Sequence, residues 1–200
     1  MPSIAYRYRD ALYLNITNVC PCACTFCLRD TIGTIGDADS LWLDREPTLD
    51  DVIKSIQSYE PLSNYSEIVF CGFGEPFSSF DILIKTARWL KEQGVNHVRI
   101  NTNGLGNLIE GRDVTPELAG LIDEMSVSLN APNSERYEEI CVPEYGIQSF
   151  DAVIEFVRSA KKYVPKISMS VVDFLSPEEI QESKNIAAQL GVPLRVRLHS

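Results

Sequence analysis

Short apolar runs alternate along the chain with segments of helical period. The runs are Ala11–Val19, Glu67–Cys71, His97–Ile100, Met125–Leu129, Ile167–Val172 and Leu194–Leu198. They are rich in β-branched residues and apolar at successive positions, which predicts strands buried on both faces of a parallel sheet. The intervening segments carry helix punctuation. Thr48 stands three residues before Asp51, with Leu49, Val52, Ile53 and Ile56 on one stripe. Ser78 or Ser79 starts a helix that runs to Gly94. Thr115-Pro116 reads as a cap followed by proline at the first helical position. A small helix over Ser134–Cys141 precedes one striped by Phe150, Val153, Ile154 and Val157. Ser176-Pro177-Glu178-Glu179 opens the last, which ends at Gly191.

The order is strand then helix five times over, closed by a strand. Such alternation predicts parallel strands joined by right-handed crossovers. Six strands fall short of the eight of a closed barrel. The expected fold class is therefore α/β: an open, partial (β/α)6 TIM-like barrel, a parallel six-stranded sheet with outer helices. No linker or composition shift divides the chain, which predicts one domain over residues 1–200. The longest stretch without period, Leu28–Pro47, directly follows a cysteine-rich segment. It reads either as a cover over a site or as a plain surface loop.

Composition narrows the class. Two hundred residues can bury a core, and no apolar run reaches membrane-spanning length. No targeting or lipidation motif is visible, so a cytoplasmic location and reduced cysteines are expected. The formal charge of −10 argues against a broad electrostatic footprint on nucleic acid, though it leaves room for a local basic patch.

The chemistry concentrates in Asn18-Val-Cys-Pro-Cys-Ala-Cys-Thr-Phe-Cys27. Cys20, Cys24 and Cys27 are spaced C-x3-C-x2-C, with Cys22 between them. Four cysteines suffice for a zinc tetrahedron, but structural zinc sites usually pair their ligands across a longer loop. Bunching in one loop of a chain this long also argues against a disulfide scaffold. Three thiolates suit three irons of a 4Fe–4S cube, leaving one iron open.

Parallel α/β folds bind ligands at the carboxyl ends of their strands. Each predicted strand here ends in polar or glycine-rich chemistry. Phe70-Cys-Gly72-Phe-Gly74-Glu75-Pro76 follows the second, where glycines permit close approach to a ligand and Glu75 offers acceptor oxygens to an ammonium group. Asn101-Thr102-Asn103-Gly104 follows the third, where its side chains can hydrogen-bond a ligand and where it reads equally as a simple Asn-Gly turn. Ser126-Val-Ser128-Leu-Asn130 ends the fourth, where Ser128 has a core reading and Asn130 a capping reading besides the ligand one. Val172 ends the fifth, where a strand-core reading stands beside the ligand one, and His199 follows the sixth, where a lone histidine has an incidental reading as well. Cys71 and Cys141 read as buried small side chains, Trp42 and Trp89 as packing residues.

The triad with Phe26 before its last cysteine, together with Gly72-Phe73-Gly74-Glu75-Pro76, resembles the radical S-adenosylmethionine (radical SAM) enzymes. The resemblance implies Cys20, Cys24 and Cys27 as ligands of one 4Fe–4S cluster, and S-adenosylmethionine on its open iron. It implies Gly72, Gly74 and Glu75 at the cofactor's methionine, Ser128 and Asn130 at its ribose, and Phe26, Thr102, Asn103, Val172 and His199 as further cofactor contacts. It also implies reductive cleavage to methionine and a 5′-deoxyadenosyl radical, which takes hydrogen from a substrate, and a reductant such as flavodoxin or ferredoxin. No appended auxiliary-cluster domain is expected. The Cys-Pro-Cys-Ala-Cys-Thr-Phe-Cys, Phe-Cys-Gly-Phe-Gly-Glu-Pro and Val-Ser-Leu-Asn-Ala-Pro runs look most like the small members named for association with TatD-type hydrolases. The compact length is also similar to glycyl-radical activases and 7-carboxy-7-deazaguanine synthases. Three function classes follow: a radical enzyme of unidentified substrate, an activase docking on a partner protein that closes the open barrel, and a non-enzymatic zinc or iron–sulfur module.

Overall fold

Among the described residues seven strands, one more than expected, form a single sheet in the order in which they occur in the chain. The computed structural model describes residues 3–30 and 35–198. The strands are β1 (Ala5–Tyr8), β2 (Ala11–Leu14), β3 (Ile68–Phe70), β4 (Val98–Thr102), β5 (Glu124–Ser128), β6 (Lys166–Val172) and β7 (Leu194–Arg197). All neighbours from β2 to β7 are parallel, and β1 is antiparallel to β2 with Ala5 opposite Leu14. The additional strand is the outer arm of a hairpin. Its sequence, Ala-Tyr-Arg-Tyr, is too short and mixed to stand out, and pairing with β2 is what makes it a strand. Sequential order with helices against the outer face is the arrangement of an unclosed parallel barrel.

The helices are α1 (Leu49–Gln57), α2 (Phe80–Glu92), α3 (Gly106–Glu110), α4 (Ser134–Cys141), α5 (Ser149–Ala160) and α6 (Pro177–Leu190). The two boxes read from sequence are formed. Thr48 accepts from the Asp51 N–H while Asp51 accepts from Thr48, and Ser176 and Glu179 repeat the exchange. Thr115-Pro116 starts only a 3₁₀ turn, Thr115–Leu118, because the short α3 already occupies the crossover from β4 to β5.

One apolar core lies between sheet and helices. Leu12, Leu14, Phe70, Ile100, Val127 and Val171 face outward from the strands onto Val52, Leu83, Leu90, Val153 and Phe156. The expectation of strands apolar on both faces therefore needs correction. Only alternate residues enter this core. The others, Arg99, Asn101, Ser126, Ser128, Ser170, Arg195 and Arg197 among them, line the barrel interior. The first predicted strand is also too long: pairing stops at Leu14, and Asn15–Val19 leave the sheet as a loop. The stretch 35–47 is not a plain surface loop. Ala38 and Leu41 pack with Tyr6 and Phe73 in a small second core, and the Leu41 carbonyl accepts from buried Asn15 Nδ2 at 2.7 Å.

Candidate functional site

The carboxyl ends of the strands surround a cavity of about 280 Å³. Cys20, Cys22, Cys24 and Cys27 all border it, as do Phe26, Gly72, Glu75, Thr102, Asn103, Ser128 and Asn130. The structure thus brings together most residues singled out in the sequence. Gly74 and Val172 are not on the cavity lining. Val172 is buried at the end of β6, two residues beyond the cavity-lining Ser170. His199 lies outside the described residues.

The cysteine loop is positioned by β2 and by two glycines. A methyl group on Gly72 would stand 1.9 Å from Asn15 Oδ1, and one on Gly74 would stand 2.3 Å from the Thr17 carbonyl oxygen. Both glycines therefore allow the turn after β3 to lie directly against the chain leading into Cys20. Backbone bonds seal the contact, Gly74 N to Thr17 O at 3.1 Å and Glu75 N to Val19 O at 2.8 Å. Close approach to a neighbouring loop is thus one role of both glycines. Gly72→Ala is accordingly expected to destabilise the fold by about 1–3 kcal/mol, by overpacking against buried Asn15. A urea midpoint shifted by less than the error of the measurement would contradict this.

Within the loop, the cysteines are not equivalent. Cys20, Cys24 and Cys27 are half-buried, whereas Cys22 is buried in the apolar core. Hydrogen bonds from Cys141 and then Cys22 hold the Cys24 thiol below its ordinary range, and the Cys22 bond does the same for Cys20. The donors Cys22 and Cys141 are pushed up in turn. Cys141, read from sequence as a plain core residue, is therefore a neighbour of the triad. Asn103 Nδ2 lies 3.9 Å from Cys20 Sγ and 3.8 Å from Cys22 Sγ. Three partly exposed thiols on one cavity wall, with polar donors beside two of them, fit a thiolate-held iron–sulfur group. Among the described residues no three His, Cys, Asp or Glu side chains are gathered as for a single ion.

Glu75 sits at the start of the 3₁₀ turn Pro76–Ser79 and is 4% exposed. Oε1 accepts from Thr102 Oγ1 at 2.7 Å and from Phe77 N at 3.2 Å, and Oε2 accepts from Asn103 N at 2.7 Å. Burial nonetheless pushes its carboxyl up to about 8, against the pull of those donors. A buried carboxylate reaching a cavity is suited to a cationic ligand, whose charge would compensate it.

Asn130 is not a helix cap, since Asn133 caps α4. It holds a positive φ of 60° directly after β5. Its Nδ2 donates to Cys141 Sγ at 3.7 Å, and its Oδ1 accepts from Arg197 Nη2 at 3.1 Å. Phe26 packs on Phe174 with centroids 5.0 Å apart.

Sequence reasoning missed the arginines. Arg99, Arg195 and Arg197 line the cavity of a chain whose net charge is −10. Arg99 is held in a two-point pair with Glu67, at 2.9 and 2.8 Å. The signal was present as alternation: Arg99-x-Asn101-x-Asn103, Ser126-x-Ser128-x-Asn130, Ser168-x-Ser170 and Arg195-x-Arg197.

Comparison with known proteins adds a consistent result. A family model described as the radical SAM superfamily matches residues 14–187. The probable GTP 3′,8-cyclase of Saccharolobus islandicus is 32% identical over 188 residues, covering 93% of this chain and 55% of that protein. A probable dual-specificity RNA methyltransferase RlmN of Thermoanaerobacter sp. is 26% identical over 199 residues, covering 94% of this chain and 52% of its own. The chain spans about half the length of these curated relatives. Streptococcus suis SuiB, solved with S-adenosylmethionine bound, shares the fold with a TM-score of 0.69 at 18% identity, covering 96% of this chain and 40% of that one. A radical SAM methyltransferase from Sphaerobacter thermophilus gives 0.64 at 17%, with coverages of 97% and 68%.

Proposed function

The chain belongs to the radical SAM superfamily, and from that premise we propose that it is a radical enzyme working with one 4Fe–4S cluster and S-adenosylmethionine on a substrate still to be identified. The superfamily uses both groups. The observation that carries the reading is the meeting of Cys20, Cys24 and Cys27 with Glu75 on a single cavity. Bound there, the cluster and cofactor would supply radical chemistry able to remove hydrogen from the substrate.

The remaining work falls to this chain's side chains. Cys20, Cys24 and Cys27 hold the cluster, while Cys22 stays in the core and donates to its neighbours. Glu75 receives the cofactor's ammonium group, oriented by Thr102 and Asn103. Ser128 presents its hydroxyl toward ribose, and Asn130 adds the second lone pair of Oδ1. Phe26 covers the cluster loop, Val172 is a candidate adenine contact, and His199 is a candidate contact to cofactor or substrate. A flavodoxin or ferredoxin supplies the electron. Within the superfamily we place the chain nearest the small members named for TatD-type hydrolases, on the likeness of its three motif runs. In this proposal residues 1–200 form one domain that holds a single cluster.

A cytoplasmic location is part of the same proposal, because these cysteines need a reducing compartment. No helix among the described residues is long and apolar enough to cross a membrane. The acidic net charge argues against a broad nucleic-acid footprint. Relatives named as RNA methyltransferases nevertheless keep RNA among the substrate classes to be tested.

The activase reading is favoured by one feature, the exposed apolar side chains Val19, Leu28 and Phe174 around the cysteine loop. These offer a surface on which a partner protein would close the barrel.

Anaerobic purification tests the main reading. A brown protein that releases 5′-deoxyadenosine with dithionite supports it. A colourless protein with stoichiometric zinc refutes it. A glycyl radical signal on a partner protein would move the function to the activase class.

A further inference from the structure

Four strands turn a polar side chain inward at every second position, and the roles proposed above use only part of them. Arg99 is neutralised by Glu67. Arg195 and Arg197 on β7 are not matched in this way: among the described residues neither has a carboxylate partner. Arg197 gives Nη2 to the neutral Asn130 Oδ1 at 3.1 Å, and its Nε is shut off from solvent without any hydrogen-bond partner. Desolvation pulls its guanidinium below the ordinary arginine range. A cation so placed is costly unless an anion arrives to meet it. The guanidinium fork is shaped for two-point contact with a carboxylate or phosphate. On the neighbouring strands, Ser126 and Ser170 line the same cavity with hydroxyls.

We infer that Arg195 and Arg197 form an oxyanion subsite, which receives a carboxylate or phosphate group of the substrate beside the hydroxyl-lined wall of Ser126 and Ser170. Its place beside the cofactor rests on the function proposed above, but its anion affinity does not. The subsite gives an acidic protein selectivity for an anionic substrate. The overall field repels such a substrate, so recognition is local.

The test is calorimetric titration of the reconstituted, S-adenosylmethionine-saturated chain with inorganic phosphate and, separately, with malonate, at an ionic strength held constant by chloride. Saturable binding of either anion is expected. A phosphate response marks a phosphorylated substrate, and a malonate response a carboxylated one. Arg197→Gln and, independently, the exposed-site variant Arg195→Gln should each weaken that binding about tenfold or more. Arg197→Lys should fall between, because a point charge replaces the fork. Cofactor affinity should change less than about threefold in all three. No saturable binding beyond chloride overturns the inference. So does an Arg197→Gln variant that loses cofactor affinity in step with anion affinity, since the arginine would then hold the cofactor's own carboxylate. Loss of the cluster's iron in that variant, with anion binding kept, assigns the arginine to the cluster instead and also overturns it. A parallel titration without cofactor separates the two proposals. Anion binding by a chain that never binds S-adenosylmethionine sinks the proposed function alone, whereas cofactor binding without anion binding sinks the subsite alone.

Discussion

Serine at position 20, 24 or 27 is expected to yield a protein that folds but carries well under half the wild-type iron and sulfide, and whose 5′-deoxyadenosine output falls to background. The hydroxyl of serine is a poor ligand for iron at neutral pH, whereas the thiolate is the natural one. The three side chains are half-buried on the cavity wall and contribute little to the core, so circular dichroism should change little. Cys22→Ser separates ligand from neighbour. Cys22 is 5% exposed and packs in the main core. Its replacement should weaken the support given to Cys20 and Cys24, and slow reconstitution, without abolishing the cluster. A Cys22→Ser protein devoid of iron, beside an iron-replete variant at any triad position, would show that the ligand set has been assigned wrongly.

Glu75→Gln should weaken S-adenosylmethionine binding by about 2–5 kcal/mol, the usual loss when one member of a buried, hydrogen-bonded charge pair is removed. Glutamine also leaves one of the three donors, Thr102 Oγ1, Phe77 N or Asn103 N, facing an NH₂ group instead of an oxygen. Wild type and variant should differ in pH dependence as well. Burial, reinforced by the negative charge of Cys20, pushes Glu75 up to about 8 from 4.5. Between those values the folded, empty protein holds a proton that the unfolded chain releases. This contribution to stability is therefore complete below about 4.5 and is lost as pH rises through about 8. Binding an ammonium group requires the ionised carboxylate, so the proton must leave on binding. Cofactor affinity should then rise by up to about tenfold per pH unit toward pH 8, where the ammonium begins to lose its own proton. Calorimetry in buffers of different ionisation enthalpy reads the released proton directly. A wild-type pH profile as flat as that of Glu75→Gln would contradict this account.

Both effects come from residues visible in the sequence, but the reasons for them differ. Cysteine spacing is local, so the triad needed no fold to be recognised. The helices with capping boxes at Thr48 and Ser176 were legible for the same reason: the signal spans three residues. Glycines 72 and 74 were found from the motif, but one part of their physical task was not legible in it. Only the packed chain shows that Asn15 and Thr17 occupy the space where a β-carbon would stand. The hairpin strand β1 was missed because four residues of mixed polarity carry little signal until β2 pairs with them.

What the sequence determined by itself is therefore the alternation of strands and helices, the direction of the sheet, and the gathering of thiols in one loop, all set by short-range patterns. What tertiary structure decided is which face of each strand looks inward. A buried polar row and an exposed one have the same period of two, so Arg99, Arg195 and Arg197 could not be told from surface residues until the sheet curved around them. The same curvature put Cys141 beside Cys24 and took Glu75 out of water. Charges and thiols acquire unusual chemistry only when distant segments strip away their solvent, and no local pattern records that.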